Sequence, residues 1–500
     1  MITIRSCTPV FCAACSSALG YYLLSRIYHS GIIGISGLFL LLLIPLFALI
    51  FFRVMAAHPL YSRNSNARLA ARYSLAFFAG LVIGIGADGN AVPRFDLGLP
   101  PEKIVGISGV LREDPRNISG GRVMALMKLT GVSADRGLRA SARGEIAVIF
   151  PQNYSERIKE FGRGCTVFSE GDIFHGASGH LFIADSLHIT QPAPRLEAFR
   201  TNVRNSLIQR FERLSRGAPW SGLSLALLLG VKDNLDSTVT ALYRDSGCAH
   251  VLSLSGMNLA LIASFISLLL IRPLGLKASA VTGTFLIIVY ILVVGPQPGL
   301  YRAVLMYLLG VMAVLGFLKR NALSLLSMAF IIQLIALPSD GRSISFILSY
   351  LALFGILATG EALHFIFKGK IPPVLLSPLS ASTGAFLMTA GMCVHYFEIL
   401  RPIGIAAGLA LVPLTTVFFV GSIAWLLLGF LSPVLAGLLS PVLSLLYTLM
   451  EKIVSAASSA PPLSAGGFVP VLIITLVLSA LILCSASLLK KSRHSMAAFT

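Results

Sequence analysis

Between Gly247 and Ser264 the chain reads GCAHVLSLSGMNLALIAS. His250, Ser253, Ser255, Gly256 and Asn258 fall within nine residues of a stretch that is otherwise apolar enough for a membrane. The chemistry these residue types offer is hydrogen bonding, along a path or between helices. At 100° per residue, His250, Ser253, Ser255 and Asn258 spread over about 200° of a regular helix, too wide for one narrow polar stripe. Facing lipid, such groups go unsatisfied, at a cost of several kcal/mol. The segment is therefore either buried among other helices or broken near Gly256, with backbone lining a cavity. Polar groups inside membranes mark pathways, but Ser, Gly and Asn are also common at packed helix interfaces. The residues alone leave both readings open.

A second group stands out by cost. Arg302 lies just inside an apolar run, where a charge is expensive unless it pairs or meets an anion; snorkelling beside Tyr301 is the alternative. Other constellations are weaker. Asp233, Asn234 and Asp236 imitate the start of a calcium loop, but no glycine and glutamate complete it. Asp236 or Ser237 reads instead as the N-cap of a helix ending at Gly247. His175, His180 and His188, with Asp172 and Asp185, match no metal-ligand spacing. No metal or cofactor is expected, and no Walker A sequence supplies a motor.

These residues sit in a chain of 500 residues that is 56% hydrophobic and 12% charged. Soluble proteins carry about 25% charged residues, so this composition predicts a polytopic membrane protein. Runs of about 20 apolar residues fall near 8–28, 32–52, 73–89, 250–271, 278–295, 301–318, 322–338, 343–360, 380–397, 403–428, 432–450 and 468–489. A shorter run, 220–231, suits a segment that packs on the bundle or re-enters the membrane. Arg53, Arg63, Arg68 and Arg72 place their loop in the cytoplasm by the positive-inside rule. The clusters Arg272/Lys277, Lys319/Arg320, Lys368/Lys370 and Lys490/Lys491/Arg493 then fall on the same side. The net charge of +18 fits such loops, and also a polyanionic ligand.

Residues 90–219 then lie outside the cytoplasm and differ in kind. From Lys103 to Thr190 the pattern alternates with period two in KIVGISGVL, RVMALMKLTG, GEIAVIFP, GCTVFSEG and HLFIADSLHIT. Five short strands suit a small barrel, of which the OB-fold is one solution. Phe95, Phe150, Tyr154, Phe161, Phe168, Phe174 and Phe182 read as barrel core or as base-stacking faces. Residues 195–216 switch to helical periodicity, with Leu196, Phe199, Val203, Leu207, Phe211 and Leu214 on one stripe. Arginines flank that stripe, as in a surface helix at lipid headgroups or a plain connector. The expected organisation is N-terminal transmembrane helices over 1–89, an external OB-like β domain over 90–194, an amphipathic connector over 195–219 and a transmembrane domain over 220–500. The fold class is an all-α polytopic membrane bundle of about 11–13 helices with a small external β-barrel.

The stretch LSLALLLGVKDNLDSTVTALYRDSGCAHVLSLSGMNLALIASFI resembles the central signature of the ComEC competence family. GPQPGLYRAVLMYLL resembles that family's G-x-x-P-S-x-x-R-A helix, with Arg302 at the arginine. Two further stretches, LSMAFIIQLIALPSDGRSISFILSYLALFGIL and GMCVHYFEILRPIGIAAGLALVPLTT, resemble later family segments in order. There are departures: the second histidine of the signature is Asn258, and an asparagine is replaced by Gly408. Many members continue into a metallo-β-lactamase-like domain; this sequence ends at Thr500 without an HxHxDH motif, so nuclease chemistry is not expected of it.

The resemblance implies an inner-membrane channel passing single-stranded DNA into the cytoplasm during natural transformation. His250, Ser253, Ser255, Gly256, Asn258 and Arg302 then belong to the pathway, with Arg302 on phosphate. Arg200, Arg204 and Arg210 are candidate DNA contacts near the external domain. The partners implied are a cytoplasmic DNA-translocating ATPase, an external DNA-binding competence protein and a separate metallo-β-lactamase-like nuclease. The alternatives are a transporter or flippase for a small or lipidic substrate on the same scaffold, and a degenerate structural membrane subunit.

Overall fold

The computed structural model describes residues 9–24, 73, 75–77, 79–87 and 96–497, apart from 119–121, 135–137, 155–161, 177–178, 253, 255, 296–297, 319–320 and 465–467. The expected helix at 32–52, its loop arginines, and Phe95 and Phe161 lie outside these residues.

The period-two segments form a closed barrel. Its strands are β1 Ile104–Leu111, β2 Arg116–Asn117, β3 Val123–Ala134, β4 Arg139–Ser141, β5 Glu145–Phe150, β6 Thr166–Gly176, β7 Gly179–Ala184 and β8 His188–Gln191. The order β1-β3-β5-β7-β6 closes through a β1–β6 pairing. All neighbours in that ring are antiparallel except β5 and β7, which run parallel with Ala147 opposite Leu181. This is the five-stranded Greek-key closure of an OB-type barrel, and closing the ring removes its edges. Alternate residues Val123, Ala125, Met127 and Leu129 of β3, and Ile146, Val148 and Phe150 of β5, fill the interior. Phe150 and Phe182 are core, whereas Phe174 is exposed.

One expected strand is two. HLFIADSLHIT breaks after Ala184, because the Asp185 N–H donates to the Glu170 carbonyl (2.7 Å) and the Ser186 hydroxyl accepts from the Glu170 N–H (3.0 Å). The chain turns there, and β8 pairs again with β6.

After the barrel, Arg195–Ser215 forms one helix that stops at Arg216 in the left-handed region (φ 51°). Its C-terminal half packs on the bundle, where Phe211 meets Trp425 (4.8 Å between centroids) and Trp220 (6.1 Å). The expected single stripe holds only there. Leu196 and Phe199 are 66% and 68% exposed, because the N-terminal half follows the barrel instead.

Among the described residues, six helices are long and apolar enough to cross a membrane: Gly256–Val294, Ile344–Phe367, Pro373–Phe397, Ile403–Leu431, Pro433–Ser458 and Pro470–Leu489. The first is a hairpin of two helices. Gly275 takes φ 74° and ψ 172°, and a Cβ placed on Gly283 would lie 3.5 Å from Ile266, so the two halves lie against each other. The expected spans 250–271 and 278–295 are these halves. Shorter apolar helices occupy Leu75–Ala87, Trp220–Leu229, Pro298–Val314 and Ala322–Ala336.

Small residues set the closest helix approach. The Ile344–Phe367 helix contains a π-helical turn, Ile356–Gly360. Gly355 just before it and Gly360 at its end touch the backbone at Gly384 of the Pro373–Phe397 helix. A Cβ on Gly384 would lie 2.5 Å from the Gly355 carbonyl oxygen and 2.6 Å from the Gly360 nitrogen. Gly384→Val is therefore expected to destabilise the detergent-solubilised protein by about 1–3 kcal/mol, read as a lower melting temperature. A wild-type melting temperature would remove this contact from the account.

Candidate functional site

The polar segment is not a continuous helix. Asp236 caps the helix Ser237–Asp245, accepting from the Thr238 N–H at 2.9 Å, and Gly247 (φ 75°) ends it, as expected from sequence. The Arg401 guanidinium caps the other end, donating to the Asp245 carbonyl and pairing with its carboxylate at 3.3 Å. A 3₁₀ turn, Ala249–Leu252, follows, and the long helix starts only at Gly256. The break expected near Gly256 is present, and Asn258 just beyond it is buried among other helices. His250 is exposed on the 3₁₀ turn between buried Cys248 and Val251. Ser253 and Ser255 lie outside the described residues.

Asn258 is 1% exposed and donates from Nδ2 to the Leu227 carbonyl at 3.2 Å. The reason lies in the helix Trp220–Leu229, which is apolar and almost wholly buried. Its terminal carbonyls have no intrahelical partner and lie buried among apolar helices, so other protein groups must meet them. Backbone N–H groups of Gly230 and Val231 reach Ala226 and Leu225; Asn258 and the Tyr290 hydroxyl (2.8 Å) reach Leu227 and Leu228. Asn258 thus completes a buried helix end. Asn258→Leu is expected to cost about 1–3 kcal/mol, read as a lower melting temperature in detergent. Asn258→His, which keeps an N–H donor, is expected to stay closer to wild type. Equal stability of all three proteins would contradict this role.

Two helix starts meet at Arg302. The helix Pro298–Val314 begins beside the helix that starts at Gly256: a Cβ on Gly299 would lie 3.2 Å from the Leu254 carbonyl oxygen. A Cβ on Gly256 would lie 3.6 Å from Arg302 Nη2 and 3.4 Å from Ala303 Cβ, so the guanidinium lies directly beside the start of that helix. Among the described residues Arg302 makes no hydrogen bond or ion pair. Its guanidinium carbon sits 5.7 Å from the centre of the Tyr350 ring, within cation–π range. Helix N-termini carry partial positive charge and unpaired N–H groups. Two of them with an unneutralised guanidinium make a local environment suited to an oxyanion.

Sequence reasoning missed the residues behind Arg302. The Tyr350 hydroxyl donates to Gln333 Oε1 at 3.0 Å, and Gln333 Nε2 donates to Asp340 Oδ2 at 3.1 Å. A glutamine inside the apolar helix Ala322–Ala336 was the available signal, since a buried amide needs partners.

Of the three connector arginines, Arg200 is buried in an ion-pair cluster, Arg204 sits half-buried beside it and Arg210 is exposed. Arg200 is 6% exposed, and its Nη1 and Nη2 form a fork on Asp114 (2.9 and 2.5 Å) while Nε reaches Glu197 (2.7 Å). Arg204 lies 3.4 Å from Asp114, and Arg210 lies over the Phe430 ring at 4.4 Å. Arg200 is a fastener: three of its five N–H donors are held by the Asp114 and Glu197 carboxylates, and the guanidinium is buried, so it is poorly placed to contact DNA. Asp114 belongs to the loop after β1, so the cluster ties barrel to connector. It also touches the turn before Arg302. A Cβ on Gly295 (φ 87°) would lie 2.5 Å from Arg200 Nη1. A second tie runs from the Asn117 N–H to Asp233 (3.2 Å).

The family model described as Competence protein matches residues 227–491, more than half of the chain and all of the helical site from His250 to Tyr350. The chain belongs to the competence protein family. That membership is ComEC-type, as the motifs imply, and with the apolar helices it makes the chain a multi-pass membrane protein. The chain is also similar to an uncharacterized protein of Aquifex aeolicus (strain VF5), 27% identical over 254 residues. That alignment covers 50% of this chain and 59% of the relative, so the chain spans less than two thirds of the relative's length. No solved structure matches. The match leaves the barrel and connector outside the shared segment.

Proposed function

We propose that this competence-family chain is the membrane channel that passes single-stranded DNA into the cytoplasm. The observation that carries the reading is Arg302: a guanidinium among apolar helices, without a carboxylate partner among the described residues, at the meeting point of two helix N-termini. A single strand bears a charge at every phosphate, so its path requires positive or hydrogen-bonding walls and few carboxylates. Arg302 takes a phosphate in this reading, Gly256 starts the helix beside it, and His250 on its 3₁₀ turn lines the approach. Asn258 supports the wall from behind.

The protein lies in the bacterial inner membrane, with the barrel outside the cytoplasm. It is not an enzyme. The driving force comes from a cytoplasmic ATPase, and capture from an external DNA-binding protein; strand degradation, where it occurs, belongs to a separate nuclease. The test is uptake of labelled DNA in wild type and in a strain lacking this gene. Loss of uptake with surface binding intact supports the channel. Unchanged uptake overturns it, and a smaller phosphate-bearing substrate on the same scaffold becomes the leading reading.

A further inference from the structure

We infer that Tyr350, Gln333 and Asp340 are positioning residues that present Arg302 as an oxyanion receptor with its N–H donors unspent. The inference deepens the reading above and rests on its assignment of Arg302 to an anionic ligand.

A charge inside a membrane protein is normally held by a counter-charge. A carboxylate against Arg302 would neutralise it and occupy its fork, as Asp114 occupies that of Arg200. The Tyr350 ring does something else. Its π face attracts the cation without accepting a hydrogen bond from it, so charge and donors both remain for a ligand. For this the ring must not move. Phe330 packs edge-on against it at 5.2 Å and Phe346 lies at 4.7 Å. The hydroxyl is tied to Gln333, and Gln333 to Asp340.

The direction of those bonds matters. Tyr350 donates to Gln333 and Gln333 donates to the Asp340 carboxylate, so the chain ends on a negative group. Asp340 fixes which way the Gln333 amide points, and hydrogen bonds in such a chain reinforce one another. The Asp340 turn, Pro338–Arg342, is itself fastened: the Tyr21 hydroxyl donates to the Pro338 carbonyl and the Tyr22 hydroxyl to the Gly341 carbonyl, each at 2.6 Å. A carboxylate thus steadies the ring under Arg302 without touching the guanidinium.

The test measures binding of inorganic pyrophosphate to the purified full chain in detergent, with melting temperatures recorded in parallel. Wild type is expected to bind, and Arg302→Ala to lose binding. Tyr350→Leu, which removes the ring, is expected to weaken binding about tenfold, and Tyr350→Phe and Gln333→Met about threefold each. Because Phe and Met break the same bond, the double variant is expected to bind no more weakly than either single one. Tyr350→Trp, which keeps an aromatic face, is expected to restore most of the affinity lost in Tyr350→Leu. Additive losses in the double variant would overturn the chain. Wild-type binding by Tyr350→Phe, Tyr350→Leu and Gln333→Met, with Arg302 still required, would also overturn it and leave the DNA reading standing. Pyrophosphate is not DNA, so uptake of labelled DNA judges the channel separately.

Discussion

Arg302→Ala is expected to lower import of labelled DNA into the cytoplasm by about ten- to a hundredfold, with the amount of protein in the membrane unchanged. The size follows from chemistry. A charge-assisted hydrogen bond contributes about 1.5–3 kcal/mol, and each 1.4 kcal/mol is a factor of ten. The protein itself should fold well without Arg302, because among the described residues the guanidinium pairs with nothing and rests only on the Tyr350 ring. Its removal takes away a desolvated charge and leaves no orphaned partner. Arg302→Lys is expected to fall between the two, since an ammonium keeps the charge but cannot offer an oxyanion the planar two-donor fork of a guanidinium. Quantifying internalised label against membrane-bound protein checks both variants. Import by Arg302→Ala at the wild-type rate would remove Arg302 from the pathway.

The second large effect is expected at the fastening of the barrel. Asp114→Ala leaves Arg200 buried with half its partners gone, and breaking a buried ion pair in this way costs about 3–5 kcal/mol. The barrel should then separate from the connector more readily, measured as faster proteolytic cleavage between residues 191 and 195. The same cluster gives a pH dependence. Burial alone raises the Asp114 carboxyl, but the hydrogen bonds from Arg200 and the charge of Arg204 outweigh it and hold the group below the usual carboxylate range. The native state therefore binds that proton more weakly than the unfolded chain. The stabilisation is complete above about pH 4–5 and is lost as pH falls through the lowered native value. Cleavage in wild type should accelerate on acidification, and Asp114→Asn should flatten that response. A wild type indifferent to acid down to pH 3, or an unchanged response in Asp114→Asn, would contradict the fastening.

How far these features were legible in the sequence depends on their range. The barrel strands were visible because alternation is local: Val123, Ala125, Met127 and Leu129 announce an inner face by themselves. The β1–β6 and β5–β7 pairings that close the barrel join distant segments and leave no such mark. The break before Gly256 was visible as a misfit, four polar groups too widely spread for one helical face. Arg302 was visible through its cost in an apolar run.

What lay behind those residues was not visible. Arg200 looked like a surface arginine on a basic helix, because its partner Asp114 is 86 residues away. Leu196 and Phe199 fit the periodic stripe, yet the barrel takes that half of the helix away from the bundle. Tyr350, Gln333 and Asp340 come from one helix, a second helix and the turn between them, and only packing brings them to Arg302.

The most direct measurement places a photo-crosslinking amino acid at the exposed position 249, on the 3₁₀ turn of His250 that leads to Arg302, and a control at the exposed position 417. Cells are illuminated while labelled DNA is being taken up, and the purified chain is examined for attached label. The channel account predicts a DNA adduct at 249 and none at 417. Label at both positions alike, or at neither while uptake proceeds, would contradict passage of DNA beside Arg302.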